Sequence, residues 1–464
     1  MNFFELPAGW RWVKLADVQE QNNKHAIVSG PFGSNIGKRF FVQEGVPVIR
    51  GNNLTTNGTR FVDKGFVFIT NDKARELSTC EALPSDLIFT AAGTLGQVGL
   101  IPADSNYKKY IISNKQLRVR LNTEMVNELF AYYWFSSPLM MRFIQQLNTG
   151  SSVPLINLQI LRSLPIPLPP IKEQEKIVRI LGTLDDKIEL NNKISITLEE
   201  IAQTLFKHWF VDFEFPSENG KPYKSSFGKM ENSEQGCIPR GWTLAQIRNC
   251  GTVICGKTPP TLERTYYGID LPFITIPDMR NQTFVVRTTK GLSLKGGNSQ
   301  KKTQLPPLSI CVSCIATPGL VALTSQTSHT NQQINSIICN ENISPFFMYY
   351  TMLNLGEKIR LWGSGGTATL NLNKTDFERL AIIIPPNVIM KDFHRIIAPL
   401  FKKILSTGKE NITLSRMRDA LLPKLLSGQI TVSKTSESSW DELRDTTKPK
   451  IQKKLLDWSM SPSR

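Results

Sequence analysis

The sequence has no apolar run of the ~18 residues that a membrane-crossing helix needs, although 40% of its 464 residues are hydrophobic. Its start, MNFFELPAGWRW, has neither the basic n-region nor the apolar h-region of a secretory signal, so a cytoplasmic location is the default expectation. Cysteine is sparse, with seven residues at 80, 237, 250, 255, 311, 314 and 339. An odd, scattered set fits reduced thiols and argues against a disulfide frame. The histidines, His25, His208, His329 and His394, are scattered too. His208 and His394 fall on predicted long helices, as surface or interface groups.

Catalytic signatures are missing as well. No G-x-G-x-x-G follows a strand, since GPFGSNIG has the wrong spacing. The Asn/Asp-Pro-Pro-Tyr/Phe motif of an amino-methyltransferase is absent, because IIPPNV does not meet it. No carboxylate set with a following lysine suggests a nuclease. GTVICGKT (Gly251–Thr258) does match the phosphate-loop pattern letter for letter. However, Pro259-Pro260 spoil the helix that must start at its lysine, and TLAQIRN before it is a poor buried strand. CVSC (Cys311–Cys314) has zinc-ligand spacing, with Cys250 and Cys255 as the further ligands it would need. Its first-half counterparts are Phe89 and Ala92, so buried thiols on a strand are the better reading. No metal site, no cofactor bound by this chain and no catalytic residue is expected.

What the chain does have is itself, twice. One constant offset, 366 − 150 = 216, places Gly150 on Gly366, Asn157 on Asn373, Leu164 on Leu380 and Pro169-Pro170 on Pro385-Pro386. Upstream, PAGWRWVKLADV (Pro7–Val18) matches PRGWTLAQIRNC (Pro239–Cys250), and VPVIRGNNL resembles LPFITIPDMRN with Pro47 on Pro272. LPSDLIFTAAGTLGQVGLI resembles LPPLSICVSCIATPGLVAL, and SNKQLRVRL resembles TNQQINSII with Asn114 on Asn331 and Gln116 on Gln333. An internal repeat of this length fixes the architecture before any single motif does.

Each half reads as a mixed α/β (α+β) globule. Short β-branched and aromatic runs such as RFVDKGFVFI, DLIFTAA, LPFITI and FVVRTT predict strands, and ELFAYYWFSSPLMMRFIQQL and PFFMYYTMLNLGEKIRLW predict helices. Each globule then feeds into a long helix with heptad spacing. The first stripe is Ile177, Leu181, Leu184, Ile188, Asn191, Ser195, Leu198, Ala202, Leu205 and Trp209; the second is Phe393, Ile397, Leu400, Ile404, Thr407, Asn411, Leu414, Arg418, Leu421 and Leu425. Both are apolar at the ends and polar in the middle. A helix of about 40 residues is roughly 60 Å long, too long for a small globule to wrap, so the two are expected to pair as an antiparallel coiled coil in an internal pseudo-twofold repeat. Gly408 and Pro423 interrupt otherwise good helix sequence in the second. The resulting layout is a first domain over 1–165, helical spacer 166–215, polar exposed linker 216–236, second domain 237–381, second helix 382–428 and polar tail 429–464, with a short helix near Leu455.

The charge is one-sided: 55 Lys+Arg against 39 Asp+Glu, a net +16. Such an excess favours a polyanionic partner, most often nucleic acid. Polar loops recur in matched places. The first half has GSNIGKR with Ser34, Asn35, Lys38 and Arg39; IRGNN with Arg50, Asn52 and Asn53; SNKQ with Asn114, Lys115 and Gln116; and NTGSS (148–152). The second has GKT with Lys257 and Thr258; PDMRN with Arg280 and Asn281; TNQQ with Asn331, Gln332 and Gln333; and GSGGT (363–367). Arginine reads guanine and asparagine or glutamine reads adenine bidentately, while lysine, serine and backbone N–H groups hold phosphates. One such loop alone reads as a solvated turn; paired sets on a basic chain read as DNA contacts.

With these residues in view, the chain resembles the DNA-specificity (S) subunits of type I restriction–modification systems over nearly its whole length. LPAGWRWVKL and IPRGWTLAQI open the halves, followed by GKTPPTLERTYYGIDLPFITIPDM, TGSSVPLINLQILRSLPIPLPPIKEQEKIVRILGTLDDKIELNNKI and LEEIAQTLFKHWFVDFEF. The resemblance implies two target-recognition domains, each reading one half of a split, asymmetric site in double-stranded DNA, with the helices setting the gap. It also implies a subunit that does no chemistry. Its partners would be two modification subunits, which methylate adenine with S-adenosylmethionine, and restriction subunits, which use ATP and Mg2+ to translocate and cut DNA. The other readings left by the residues are a basic coiled-coil scaffold binding DNA without sequence preference, and an undetected nuclease.

Overall fold

The computed structural model describes residues 3–56, 58–148, 154–315, 317–363 and 372–432. The chain forms two compact units, one taking it up to Asp185 and again from Arg416, the other Asp186–Ser415. Gly150, Gly366, most of the loops 148–152 and 363–367, and most of the polar tail with its expected helix near Leu455 lie outside the described residues. Among those described, no helix is long and apolar enough to cross a membrane.

In the first unit the opening strand Arg11–Lys14 pairs antiparallel with Pro165–Leu168, Arg11 opposite Leu168. The prolines are tolerated because this ladder has only two strands and leaves edge positions free. Behind it lies a four-stranded sheet in the order Ile27–Ser29, Gln116–Val119, Leu87–Thr90, Val98–Leu100. A second sheet runs Phe41–Val42, Val67–Ile69, Val46–Ile49, Tyr110–Ile112, Glu81–Ala82, with Val46–Ile49 and Tyr110–Ile112 parallel. The runs LIFT, YII and VPVI are buried at every residue, as strands covered on both faces must be. The helix Glu128–Phe135 is capped by Asn127, whose side chain accepts from Leu129 N and Phe130 N. Its six residues from Phe130 to Phe135 are all buried, so it is a core helix that shows no polar face.

The second unit repeats this plan. Thr243–Gln246 pairs with Ala381–Ile384, Thr243 opposite Ile384, which is the position that the constant offset assigns to Leu168. The larger sheet is ordered Gly251–Cys255, Ile334–Cys339, Ile310–Ser313, Val321–Thr324, Phe284–Val285, and the smaller one holds Tyr267–Ile274 parallel to His329–Thr330. Asn157 and Asn373, equivalent in the repeat, cap equivalent short helices by accepting from Ile160 N at 2.9 Å and from Asp376 N at 3.0 Å.

The long helices run Ile171–Phe206 and Asn387–Leu426. Every one of the twenty stripe positions predicted from heptad spacing is buried or half-buried. Within the second unit the helices are antiparallel, since Asn191 Nδ2 donates to Asn411 Oδ1 at 2.9 Å while Ser195 meets Thr407 at 2.8 Å. Asn191 and Thr407 are equivalent in the repeat, as are Ser195 and Asn411. The polar layer is therefore built crosswise from the two copies. Within the first unit, Arg418 Nη1 donates to Asp185 Oδ1 at 2.8 Å, and Tyr133 Oη donates to Asp185 Oδ2 at 2.7 Å. Burial opposes the charge on Arg418, but the neighbouring Asp185 and Asp419 carboxylates outweigh it and leave the guanidinium pKa raised.

The second helix is continuous through Gly408 and Pro423, and through Pro399 as well. An interior proline costs about 3 kcal/mol or more. Here Ile397 and Phe401 on either side of Pro399 are fully buried, and packing of that kind, more than propensity, holds helices in proteins. The linker region is also more ordered than its composition suggests. Phe215 stacks on Tyr223 at 4.5 Å, and Met230–Ser233 pairs with Gly236–Pro239 in a hairpin.

Candidate nucleic-acid interface

Three of the predicted polar loops come together in each unit, and the same backbone hydrogen bonds gather them. In the first, Gly30 N donates to Gln116 O at 2.9 Å, Ser113 N to Ile49 O at 2.9 Å and Gln116 N to Ser113 O at 3.1 Å. In the second, Gly256 N donates to Ile334 O at 3.1 Å, Asn331 N to Ile274 O at 3.2 Å and Ile334 N to Asn331 O at 3.2 Å. The loops after Gly30, Ile49 and Ile112 thus correspond to those after Gly256, Ile274 and Thr330. Both first-loop glycines are required by contact. A Cβ on Gly30 would lie 1.9 Å from Ser113 O, and one on Gly256 would lie 2.1 Å from Asn331 O. At Gly33 the chain passes so near the third loop that a Cβ would sit 3.0 Å from Asn114 Nδ2.

These bonds also correct the sequence alignment by one residue. Ser113, not Asn114, is equivalent to Asn331, and Gln116 corresponds to Ile334, not to Gln333. Ala91 N donates to Lys115 O and Cys314 N to Gln333 O, so Lys115 answers to Gln333 and Ala91 to Cys314. Cys311 then corresponds to Ile88 and not to Phe89, since Phe89 faces Val98 as Val312 faces Val321. Matching Asn and Gln letters had outweighed the strand register, which backbone bonding sets.

In the first unit Ser34, Asn35, Lys38, Arg39, Asn52, Asn114 and Lys115 are exposed. Arg39 Nη2 donates to Ser34 O at 2.9 Å and its guanidinium lies over the Phe40 ring at 4.7 Å, so this loop is braced by its own side chains. Asn52 Nδ2 donates to Gly65 O at 3.3 Å. Half-buried Arg50 has a buried Nε with no hydrogen-bond partner among the described residues. Two residues expected to read bases are not free to do so. Asn53 is fully buried, its Nδ2 donating to Val62 O and Lys64 O and its Oδ1 accepting from Arg50 N at 3.0 Å. Gln116 is a buried strand residue whose Oε1 accepts from Ser113 Oγ. Both shape their loops from inside.

In the second unit Lys257, Arg280, Asn281 and Gln332 are exposed, and Thr258, Asn331 and Gln333 are half-buried. Lys257 N donates to Thr330 O at 2.9 Å, and Thr258 Oγ1 donates to Gln332 Oε1 at 2.7 Å. Lys257 and Thr258 stand in an irregular loop after a strand, where a phosphate loop would start a helix. Asn281 takes a left-handed φ of 57° at the tip of the second loop, a conformation that asparagine tolerates. Asn331 Nδ2 donates to Gln333 Oε1 at 3.0 Å, so each side chain holds the other in the third loop.

Burial pushes the Cys311 thiol up to about 12 and that of Cys314 to about 11, and they accept hydrogen bonds from Ser336 Oγ and Asn335 Nδ2. Cys311 is a buried residue of the larger sheet, and Cys314 follows its strand. His208 is exposed, while His394 is half-buried, 2.9 Å from Ser344 Oγ and stacked on Phe346. Burial lowers the His394 pKa. His329, one residue before the third loop's Thr330, is fully buried; its Nδ1 lies 3.5 Å from Gln300 Nε2 and from Thr303 Oγ1, and burial lowers its pKa.

Comparison with known proteins gives a consistent result. The family described as "Type I restriction modification DNA specificity domain" matches residues 7–200 and 239–416. The HindI specificity subunit of a type I restriction enzyme from Haemophilus influenzae is 36% identical over 380 residues, covering 70% of this chain and 83% of that protein. The MjaIX specificity subunit from Methanocaldococcus jannaschii is 25% identical over 446 residues, covering 92% and 95%. Among solved structures, the S subunit of a type I restriction–modification system from M. genitalium matches with a TM-score of 0.56 at 15% identity, over 91% of this chain and 98% of that one.

Proposed function

This chain belongs to the type I restriction–modification DNA specificity family, and from that premise we propose that the three-loop cluster of each unit reads one half of a bipartite target in double-stranded DNA. The chain is a DNA-recognition subunit without catalysis of its own. The observation that carries the assignment to these loops is the shared set of backbone hydrogen bonds around Ser113 and Asn331. It brings the same three loops together twice, on a chain with sixteen excess positive charges.

Arg50, Asn52 and Asn114 in the first unit, and Arg280, Asn281 and Gln332 in the second, would meet base edges. Lys38, Arg39, Lys115, Lys257 and the hydroxyls of Ser34 and Thr258 meet phosphates. The long helices set the gap between half-sites and dock two modification subunits; restriction subunits join that assembly. The chemistry belongs to those partners, with S-adenosylmethionine for methylation and ATP with Mg2+ for translocation.

The test is to exchange residues 1–150 for those of another family member, co-express the chimera with the modification subunit and map N6-methyladenine in host DNA. One half of the methylated motif should change and the other persist. A folded chimera that methylates the original motif would end the reading, and binding that is salt-sensitive but sequence-blind would favour a basic scaffold.

A further inference from the structure

The first loop of each cluster carries one large apolar side chain that the protein itself does not cover. Phe32, two residues after Gly30, is 86% exposed, and Leu262, six residues after the equivalent Gly256, is 97% exposed. A lone exposed leucine is ordinary. A nearly bare residue in the same loop of both units is a repeated feature, and the backbone around each is held firmly. Asn35 N donates to Phe32 O at 2.8 Å, and Ile36, buried at 5% exposure, pins the loop from beneath. Around Leu262, Glu263 N donates to Pro260 O at 3.2 Å and Tyr267 Oη to Pro259 O at 2.8 Å. A side chain on a braced turn loses little entropy when it is taken up.

The surroundings specify the occupant. Phe32 shares its loop with exposed Lys38 and Arg39, and that loop passes close to exposed Asn114 at Gly33; Leu262 shares its loop with exposed Lys257 and Arg264, with Glu263 the one carboxylate in that turn. Within each first loop, basic and amide groups flank a single apolar tip, whereas a protein-binding groove needs a contiguous apolar patch; in the second unit Ile269 and Leu294 are exposed as well, on the strand and helix that follow the loop. An apolar tip so flanked matches a base step between phosphates, where apolar side chains enter between bases and partly unstack them. We infer that Phe32 and Leu262 are apolar wedges, one per half-site, each entering a base step of its own half of the target. They would add selectivity through the ease of unstacking that step, independent of hydrogen bonding to base edges. This rests on the DNA-reading role proposed above for the same loops.

The experiment uses the full chain bound to its modification subunit and a duplex carrying the motif mapped by methylation. Phe32→Ala and Leu262→Ala are compared with Lys38→Ala/Arg39→Ala, and thymine oxidation by permanganate reports unstacked steps. With the unchanged chain, reactive thymines should appear in both half-sites. Phe32→Ala should erase the signal in one half only and weaken binding on the order of tenfold, and Leu262→Ala should do so in the other half. Assembly with the modification subunit should be unaffected by either. Unchanged permanganate patterns and affinity in both alanine variants, with binding lost in the Lys38/Arg39 variant, would overturn the wedge and leave the loop assignment standing. If the Lys38/Arg39 variant also bound normally, the loop assignment itself would fail. Loss of subunit assembly in Phe32→Ala would assign that residue to a protein contact and overturn its role on DNA.

Discussion

At the scale of single residues, one buried polar side chain ties the second unit to pH. His329 is buried in the strand that leads into the third loop, and burial lowers its pKa from the ordinary 6.5. The side chains at its Nδ1, Gln300 and Thr303, offer no carboxylate to favour the charged form. The folded state therefore holds fewer protons than the unfolded state as pH falls past 6.5. Stability that is complete above that value is lost progressively below it. His394, lowered by burial in the same unit, acts in the same direction. Thermal unfolding followed between pH 7.5 and 5.5 should show the transition of the second unit moving down in temperature. His329→Gln, which cannot take up the proton, should flatten that slope, and an unchanged slope would show that His329 does not titrate on folding. Neither the burial of His329 nor the ion pair of Arg418 with Asp185 could be read from the sequence. Arg418 fell on an apolar stripe and its partner Asp185 fell beside one, because heptad spacing says which residues face inward and nothing of what meets them.

Elements were the most legible level, and they also show where legibility stopped. Heptad spacing located both long helices, and all twenty of its stripe positions are buried or half-buried, since a 3.5-residue period leaves little choice of face. The repeat put Asn157 on Asn373 and Pro169-Pro170 on Pro385-Pro386, but the helix caps at those asparagines and the strand pairing of the runs before the prolines emerge only in the structure. Gly408 and Pro423 were weaker guides, because burial of neighbours such as Thr407, Leu422 and Leu425 can outweigh a local propensity. Loop clusters were found by composition, but their internal roles were not. Asn53 and Gln116 look like base readers, but Asn53 is spent on nearby backbone and Gln116 on the Ser113 hydroxyl, whereas Phe32 and Leu262 have no signature at all in one sequence. The one-residue slip between the SNKQ and TNQQ loops has the same origin, since residue type was matched where hydrogen-bond register decides. The glycines at the first loops are where the structure makes its sharpest demand on an element. Gly30→Ala would press a methyl into Ser113 O, and Gly256→Ala would do the same at Asn331 O. Each should cost about 1–3 kcal/mol of overpacking and push two loops apart. We expect Gly30→Ala to abolish recognition of one half-site while sparing the other, and Gly256→Ala the reverse. Gel-shift titration against duplexes with one half-site scrambled would show it, and equal losses in both halves would contradict the separate-cluster account.

Across the whole molecule, the chain passes between its units only within the two long helices, at Asp185/Asp186 and Ser415/Arg416. If the helices set the gap, their length is the variable to change. Seven residues inserted after Asp185 and seven after Ser415 would preserve the phase of both stripes, leave the Asp185–Arg418 pair in the first unit and the Asn191–Asn411 layer in the second, and keep the inserted stretches opposite one another. At ~1.5 Å per residue the addition is about 10 Å, close to the length of three base pairs when a turn of ten spans ~34 Å. Methylation mapping with the lengthened chain should give the same two half-sites with about three more base pairs between them. An insertion in only one helix would leave seven residues unpaired and should abolish modification. If the doubly lengthened chain folded and methylated at the original gap, the spacing would have to be set by the partner subunits. If it changed the bases of either half-site, the loops would not be the readers, because nothing in the insertion touches them.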